Sequence, residues 1–586
     1  MLSARCRRLP ALLLLALFGA FAGCGGHRPA VPSGAAPAPP PSPIRFVNVV
    51  PTCGISFQSP PLPIPLGTKE AFGTGCAFLD YDGDGLMDVL LVAAPHALLY
   101  RNLGNGRFAD VTRAVGLDQV TGDWRGCAVG DYDGDGRLDL LLTGFHRIAL
   151  LRNLPGGRAG GRFVDATRAA GLDPSNGGHW ASSAGFMGLS GSGRLDLVIL
   201  NYLSFGPKTP DFCELAPGVR SGCPPTSYQA ELPEVWQNVG GGRFQDVSAA
   251  SGIRAAHGKA LVLAFMDLGG KGRPDVFIGN DGQPADLMQN QTQNQMQNQT
   301  QNQGGAGGAI KFRDAGVLSG LDSAADGSPV SAMGADWADY DRDGRMDLVV
   351  TNFSSKPFQL YRGLGAGVFE HRENAVGLAA PTFQALGFGA KWADVDNDGW
   401  PDILFANGHV YDDPGRLDGF SHFRQPLMLF HNENGTHFTD IAPAQGGDLA
   451  RPILGRGLAS GDFDNDGRMD FLVVDHGDRP LLLHNLTPST DHGVTNHWIT
   501  FDLRARAPNV FAYGARLTAR AAGRVWVGFV SPASSYLSSS DPRLHFGLGP
   551  VTALDSVQVD WPDGQQQTLH AVRADRILRI QEGNRP

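Results

Sequence analysis

Five short acidic segments of this chain repeat one spacing of carboxylates. In each, aspartates stand at positions 1, 3, 5 and 9 and glycine stands at position 6. Four crowded carboxylates repel one another and need a cation, and Ca²⁺ accepts such a flexible oxygen cage better than Mg²⁺. The sequence therefore predicts about five structural calcium ions, with the seventh residue of each loop adding its backbone carbonyl. The predicted ligands are Asp80, Asp82, Asp84, Asp88; Asp131, Asp133, Asp135, Asp139; Asp339, Asp341, Asp343, Asp347; Asp394, Asp396, Asp398, Asp402; and Asp462, Asp464, Asp466, Asp470.

Two further copies of the loop have lost ligands. The Lys271 ammonium stands where a ligand is needed, and Ser190 and Ser192 supply no charge, so neither copy is expected to hold calcium firmly. One copy of an acidic loop could be an ordinary solvated turn, but five in the same register favour metal binding. The eroded copies are Gly188, Ser190, Ser192, Gly193, Asp196 and Asp267, Gly269, Lys271, Gly272, Asp275.

The acidic loops belong to a larger repeat in which Phe is followed eight residues later by Gly. A short apolar run ending in Asn or Gly precedes the six later copies. Each unit therefore supplies about four short strands, and a radial stack of four-stranded sheets is economical because no unit can cover its own apolar faces. The copies are Phe46/Gly54, Phe108/Gly116, Phe163/Gly171, Phe244/Gly252, Phe312/Gly320, Phe369/Gly377 and Phe438/Gly446.

Residues 44–487 resemble the FG-GAP/VCBS-type repeats of integrin-α-like propellers in these loops and in the Phe/Gly spacing. The resemblance implies an all-β fold, a seven-bladed β-propeller with calcium-binding DxDxDG loops, interrupted by insertions at 199–235, 289–308 and 408–426. The first unit starts with Phe46 and the last ends near Asn485 without its own Phe strand. Residues 45–50 are therefore expected to pair into the last blade and close the ring, which removes free sheet edges.

Residues 488–586 predict a second, small β-sandwich-like domain, because apolar residues alternate around 499–503, 525–529 and 557–561. Its motifs resemble the ASPIC/UnbV domain, and the whole chain is similar to the bacterial relatives of cartilage acidic protein. The resemblance implies no settled activity. His545 is interpreted as a packed structural histidine, since no acidic or nucleophilic partner is identifiable. The motifs are Gly514-Ala515-Arg516, Ser535-Tyr536-Leu537, His545-Phe546-Gly547-Leu548-Gly549 and Trp561-Pro562-Asp563-Gly564.

The N-terminus predicts export. Basic residues precede an apolar stretch over 9–22, which is typical of a signal peptide over 1–23. The small residues before Cys24 resemble a lipobox and predict lipidation of Cys24, the alternative being a plain signal peptide and an unmodified cysteine. Residues 24–43 are rich in Pro and Ala and predict an extended tether. We expect an extracytoplasmic, lipid-anchored protein, and Gly25 favours the outer membrane or cell surface.

Cys213 and Cys223 lie ten residues apart in the 199–235 insertion. A disulfide is predicted there, and a zinc site is the weaker alternative because no CxxC or histidine cluster accompanies them. The pairing of Cys53, Cys76 and Cys127 is left open. The Gln/Asn tract over 289–303 predicts a disordered hairpin extension, with amyloid-like pairing as the lesser possibility. The segment 407–411 begins an insertion that either binds a ligand or packs as a loop.

The composition and the motifs that are missing limit the classes of function that fit this sequence. The chain has 586 residues, 48 Lys and Arg against 58 Asp and Glu, and a formal charge of -10. No basic run follows the first eight residues, so nucleic acid is excluded as a partner. HExxH, GxSxG, P-loop and CxxC motifs are missing. We expect a non-catalytic, monomeric binding or scaffold protein for a glycan or protein ligand, which meets the membrane only through its anchor. The alternative is a propeller-based polysaccharide lyase or hydrolase.

Overall fold

The computed structural model describes residues 43–156, 160–293, 307–491 and 493–583. The signal peptide, Cys24, nearly all of the tether and most of the Gln/Asn tract lie outside the described residues. The described chain is all-β, and its helices are single turns of three or four residues. In this part of the chain, no helix is long and apolar enough to cross a membrane.

Seven antiparallel sheets of four repeat strands follow one another through the described residues, and we number them 1 to 7 in chain order. Sheet 1 contains Cys76–Leu79, Asp88–Leu91, Leu98–Asn102, Phe108–Asp110; sheet 2 Trp124–Gly130, Asp139–Gly144, Arg147–Gly156, Gly160–Asp165; sheet 3 Ala181–Met187, Asp196–Asn201, Glu234–Gly240, Arg243–Asp246; and sheet 4 Ala260–Met266, Asp275–Asn280, Asp286–Asn290, Phe312–Asp314. Sheet 5 contains Ala335–Ala338, Asp347–Val350, Gln359–Gly365, Val368–His371; sheet 6 Gly387–Ala393, Asp402–Asn407, Met428–Glu433, His437–Asp440; and sheet 7 Gly455–Gly461, Asp470–Asp475, Leu481–Asn485 and Phe46–Asn48.

Neighbouring sheets contact each other through their first strands. The first strand of each sheet lies against the first strand of the next, and the first strand of sheet 7 lies against that of sheet 1. Sheet 7 takes its outer strand from the N-terminus, where Phe46 pairs with Asn485. The pairing of residues 45–50 with the last repeat, expected from the sequence, is therefore present over Phe46–Asn48.

The inner strands are buried on both faces, which explains their continuous apolar runs. All residues of Asp139–Gly144 are buried, for example. In four repeats the Phe packs on the aromatic residue that follows the first aspartate of the preceding sheet's loop. The ring centroids are 6.3 Å apart for Phe163 and Tyr81, and 5.7 Å apart for Phe108 and Phe463. In these four repeats the Phe therefore packs one sheet against the acidic loop of its neighbour.

A single helical turn follows several of the outer strands, and the repeat Gly ends it. Gly252 has φ 87° and closes Ser248–Ser251, a left-handed conformation that favours glycine. The other four-residue helices are Val50–Cys53, Thr68–Ala71, Gly316–Ser319, Ala379–Thr382, Gly415–Asp418, Ala442–Gln445 and Gly447–Ala450, and the 3₁₀ turns are Leu117–Gln119, Asn176–Gly178, Pro225–Ser227 and Ile253–Ala255.

The C-terminal module contains two sheets that pack on each other. One holds Leu544–Gly549, His497–Arg504 and Arg576–Gln581, and the other holds Arg524–Phe529, Arg516–Ala521, Ala553–Asp560 and Gln566–Arg573. A small hairpin, Thr490–Asp491 with Val494–Thr495, precedes them.

Residues 532–540 of this module, the central loop, are all buried among the repeat sheets. Its strands Ala533–Ser534 and Ser538–Ser539 extend sheet 1, with Ser539 opposite Ala77. The loop contacts the first strand of every repeat sheet, including sheet 6 through a hydrogen bond from the Ala390 amide to the Ser535 hydroxyl, 3.1 Å. Residues 42–586 accordingly form one compact unit, and the boundary at 487/488 does not divide it.

Candidate metal centres and a central cavity

The first aspartate of each acidic loop organises the turn. Asp131 accepts hydrogen bonds from the amides of Gly134, Asp135 and Gly136, at 2.8, 3.0 and 2.8 Å. The sixth residue is a left-handed glycine in all five intact loops, with φ of 86° at Gly136, as its place in the motif required. The turn therefore brings the later carboxylates back toward the first.

The ninth aspartate ties the loop to the third strand of the same sheet. Asp139 accepts hydrogen bonds from the Tyr132 amide at 3.2 Å and the Asn153 amide at 2.7 Å. The atoms that could bind a metal lie within 4.8 Å of one another in several clusters of the described residues, among them Asp80, Asp82, Asp88; Asp131, Asp133, Asp139; Asp339, Asp341, Asp347; Asp396, Asp398, His431; and Asp464, Asp466, His484. All five predicted loops thus contain acidic clusters able to bind metal.

The residue at the end of each third strand links neighbouring sheets, a role that sequence reasoning missed. The side-chain Nδ2 of Asn153 in sheet 2 donates to the Tyr81 carbonyl of the sheet 1 loop at 2.7 Å, and the side-chain Nδ2 of Asn102 in sheet 1 donates to the Phe463 carbonyl of sheet 7 at 2.7 Å. Sheets 3, 4, 6 and 7 repeat the contact through Asn238, Asn290, Asn432 and Asn485. In sheet 5 this position is Gly363.

The residue before that asparagine faces the acidic loop and differs between sheets. In sheets 1, 2 and 5 it is an arginine whose Nε lies 2.5 to 2.6 Å from the loop's third-position carboxylate: Arg101 with Asp82, Arg152 with Asp133 and Arg362 with Asp341. In sheets 6 and 7 it is His431 or His484. The loops therefore form two chemical classes, a distinction that the acidic motif alone does not contain.

Burial makes the loop carboxylates unfavourable as isolated anions. It raises the pKa of Asp131, Asp339 and Asp462 to about 7, although backbone amides counteract part of the effect. The pKa of Asp139 rises to about 9, again chiefly through burial. A cation held by the loop would offset this penalty by compensating the buried negative charge.

The two eroded loops keep hydrogen bonds that the intact loops also make. Asp196 accepts bonds from the Leu189 and Ser190 amides at 2.9 and 2.7 Å. In the other copy, Asp267 accepts bonds from the Lys271 and Gly272 amides at 3.0 and 2.6 Å. Both turns keep their shape without the missing carboxylates.

The acidic loops also contact the C-terminal module. Arg543 donates to the Asp462 carbonyl at 2.9 Å and to the Asn465 side chain at 2.7 Å, and Arg516 donates to the Gly344 carbonyl at 3.2 Å. His545 joins Thr500 at 2.9 Å and Asn397 of the sheet 6 loop at 2.8 Å. Burial lowers the His545 pKa to about 3, in keeping with a packed structural histidine.

A cavity of about 570 Å³ lies at the opposite end of the first strands. The acidic loops connect first to second strands, whereas this cavity is lined by residues that precede first strands or follow second strands. Its aromatic lining is Phe72, Tyr202, Phe353, Phe388, Tyr411 and Tyr536. Tyr536 belongs to the central loop and donates to the Phe72 carbonyl at 2.8 Å, so the C-terminal module supplies part of the wall.

One acidic and one basic side chain, Asp281 and Lys259, also line the cavity among these aromatic rings. The Tyr202 hydroxyl donates to Asp281 at 2.7 Å, and the Lys259 ammonium lies 3.4 Å from the Gln283 side-chain oxygen. Burial raises the pKa of Asp281, while the Tyr202 hydrogen bond lowers it. The wall is therefore apolar with a few fixed donors and acceptors, as in small-molecule sites, which span about 300–1,000 Å³.

The predicted insertions converge on this cavity. The 199–235 insertion carries the hairpin Phe212–Ala216 with Val219–Gly222 and a Cys213–Cys223 disulfide, S–S 2.00 Å. The 408–426 insertion meets it through Ser221, which donates to Asp412 at 3.0 Å. Both Cys223 and Tyr411 line the cavity. Among the described residues, Cys53, Cys76 and Cys127 are unpaired and buried.

Known protein families match both parts of the chain. A family described as FG-GAP-like repeat matches residues 80–142, 339–405 and 411–473, and one described as ASPIC and UnbV matches residues 505–586. The chain is therefore a protein of FG-GAP-like repeats with an ASPIC and UnbV domain, as its sequence motifs indicated.

The chain is homologous to cartilage acidic protein 1. It is 26% identical to the Mus musculus protein over 529 residues, covering 85% of this chain and 71% of that protein. It is also 26% identical to the Homo sapiens protein over 531 residues, covering 85% of this chain and 70% of that protein.

Solved structures show more distant likeness. An Agrocybe aegerita lectin described as recognising non-reducing terminal N-acetylglucosamine has a TM-score of 0.40 and 14% identity, covering 71% of this chain and 94% of that chain. A rhamnogalacturonan lyase of Bacillus licheniformis has a TM-score of 0.31 and 13% identity, covering 84% and 77%. At such scores, neither likeness bears on function.

Proposed function

We propose that this protein is an extracytoplasmic binding protein, non-catalytic and monomeric, whose scaffold is a closed seven-bladed propeller stabilised by calcium. The cyclic contacts of the first strands, the N-terminal strand in sheet 7 and the asparagine links support the closed ring. The five intact loops support calcium, because their oxygen ligands sit where burial penalises uncompensated charge. The lipobox resemblance around Cys24 supports a lipid anchor at the outer membrane or cell surface.

The aromatic cavity carries the ligand-binding part of the proposal. The repeat sheets can form without the two insertions. Both insertions nevertheless line this cavity, together with Tyr536 and the segment before sheet 1 that contains Phe72. Aromatic faces with a few fixed polar groups suit a cyclic ligand that has an apolar face and hydroxyl groups. The balance between Lys259 and Asp281 favours a neutral ligand. A glycan unit fits this description, and we place its binding site against Tyr411 and Tyr202.

A glycan array probed with the mature protein tests this site. We expect binding by the wild type and a loss of about tenfold or more in affinity for Tyr411→Ala, which corresponds to about 1.4 kcal/mol. Phe383→Ala is the matched control, because Phe383 is 44% exposed and does not line the cavity. If both variants lost the same affinity, or if Tyr411→Ala bound glycan as tightly as the wild type, the glycan would not bind in this cavity.

Turnover of a polysaccharide distinguishes the enzyme alternative from the binding protein. A polysaccharide lyase or hydrolase releases shortened or unsaturated products, whereas a binding protein returns its glycan unchanged. Incubation of array-positive polysaccharides with the calcium-loaded protein, followed by product analysis, distinguishes the two. Product formation that is lost in Asp281→Asn would establish catalysis at the cavity and overturn the non-catalytic proposal.

A further inference from the structure

The loops of sheets 6 and 7 differ from the other three intact loops in the cationic side chain that faces them. We propose that these two loops are mixed carboxylate–imidazole sites for a divalent transition-metal ion, with His431 and His484 as ligands, while the arginine-facing loops are calcium sites. This inference rests on the metal-binding role of the loops proposed above. Imidazole nitrogen suits Zn²⁺ and related ions, whereas Ca²⁺ takes oxygen ligands.

The spacing of the ligand atoms fits one small cation. His431 Nε2 lies 3.3 Å from Asp396 Oδ2 and 4.0 Å from Asp398 Oδ2. His484 Nε2 lies 3.0 Å from Asp464 Oδ2 and 3.9 Å from Asp466 Oδ2. Zinc lies about 2.1 Å from nitrogen and oxygen ligands, so two atoms that share it are at most about 4.2 Å apart. All four distances meet that limit.

Unsatisfied buried atoms point to the same ion. Asp394 is 7% exposed, yet its Oδ1 atom finds no hydrogen-bond partner among the described residues. In the same two loops each histidine Nε2 is held by a loop carboxylate, that of Asp396 at 3.3 Å or that of Asp464 at 3.0 Å, and Oδ1 of Asp464 is buried without a hydrogen-bond partner among the described residues. Buried polar atoms normally have partners, and a metal ion would supply the missing one. The sheet 6 site carries this argument most strongly, because Asp394 is more than nine-tenths buried and has an unpartnered oxygen among the described residues.

Arginine and histidine have opposite consequences for a metal. A guanidinium remains protonated and offers only donors, so Arg101, Arg152 and Arg362 act as counter-ions and never as ligands. A neutral imidazole offers a lone pair to the metal. The sheet 6 loop also has Trp400 where Arg137, Arg345 and Arg468 stand in three other loops, so its seventh residue contributes no positive charge.

The sheet 6 site also has space beside it. A cavity of about 180 Å³ lies between the repeat sheets and the C-terminal module, and Asp394, Arg342 and His545 are among its lining residues. The Arg342 guanidinium packs over Trp400 and Trp526, 5.4 and 4.8 Å from their ring centroids. This cavity gives a hydrated ion a place to approach Asp394.

Zinc retention in excess calcium tests the proposal. Chelator-stripped mature protein is incubated with Zn²⁺ in millimolar Ca²⁺, and the retained metals are counted by elemental analysis. We expect about two zinc equivalents for the wild type, one for His431→Arg or His484→Arg, and none for the double variant. Arginine is the natural residue at this register in three loops, so it is a conservative replacement. Arg101→His is the converse variant and should add a third equivalent.

A spectroscopic measurement identifies the ligand directly. With Mn²⁺ as probe, pulsed electron paramagnetic resonance should detect ¹⁴N coupling in the wild type and lose it in the double variant. The assignment is overturned if the wild type retains no zinc. It is also overturned if the double variant still retains zinc and Arg101→His adds none. Failure of calcium to bind the arginine-facing loops would instead overturn the proposed calcium scaffold, since the zinc count at His431 and His484 is read separately.

Discussion

Removing one asparagine link should measure how much the contacts between sheets stabilise the fold. Asn102 joins sheet 1 to sheet 7 and is 1% exposed. Its Nδ2 donates to the Met87 and Phe463 carbonyls at 3.0 and 2.7 Å, and its Oδ1 accepts from the Gly104 amide at 2.9 Å. Asn102→Ala leaves two buried carbonyls unsatisfied at about 1–3 kcal/mol each, so we expect a loss of about 2–6 kcal/mol in unfolding free energy.

Thermal unfolding followed by circular dichroism in saturating calcium is the assay. An unfolding entropy of about 2.1 cal/mol/K per residue over roughly 540 residues gives about 1.1 kcal/mol/K, so Tm should fall by about 2–5 °C. Asn102→Asp is the discriminating variant, because it keeps the shape but points oxygen instead of N–H at two carbonyls. It should melt below Asn102→Ala. An aspartate variant as stable as the wild type would refute the hydrogen-bond argument and leave packing as the cause.

Three other predictions concern metal, pH and the anchor. Calorimetric titration should count about five Ca²⁺ sites when no transition metal is present, with Asp82→Ala removing one and Asp267→Ala removing none; an equal loss in both variants would contradict the distinction between intact and eroded loops. In chelator, Tm should be higher near about pH 5 than near about pH 7.5, because the folded-state pKa of Asp131 and Asp462 is raised to about 7 from about 3.9 unfolded. The folded state then binds more protons across that window, so stability falls as pH rises, and calcium should reduce the slope; a Tm that rises with pH in chelator would refute the burial argument. Cys24→Ser should abolish fatty-acid labelling in a host that lipidates proteins. If the wild-type protein is not labelled either, the lipobox interpretation is wrong and a plain signal peptide replaces it.

The repeat was predictable because its signals are local. Nine residues define each acidic loop, and eight separate Phe from Gly, so the turn at Gly136 and the strands around it follow from short-range chemistry. The pairing of Phe46 with Asn485 also followed, since counting repeat elements left one strand missing from the last unit.

Contacts between distant residues were not predictable from the same signals. The apolar runs ending in asparagine were visible, but only the fold shows that Asn153 reaches the Tyr81 carbonyl of another sheet. His431 and Arg101 occupy one register, yet nothing in their own sequence segments places them over loop carboxylates that stand 35 residues (Asp396) and 19 residues (Asp82) earlier in the chain. The convergence of Tyr411, Cys223 and Tyr536 on one cavity likewise depends on how the sheets are arranged in space.

The central loop has a consequence for the order in which the fold assembles. The strand that completes sheet 7 comes from residues 46–48, and the loop that fills the centre comes from residues 532–540. Sheets 2 to 6 can form as they emerge, because their contacts are local, whereas both closing steps join segments hundreds of residues apart and are slow. Until the last fifth of the chain is available, an open strand edge and an apolar centre stay exposed, and such surfaces aggregate or attract proteases. A chain truncated shortly before residue 532 would retain every repeat and still lack its centre, so it should be degraded rather than accumulate as a smaller propeller.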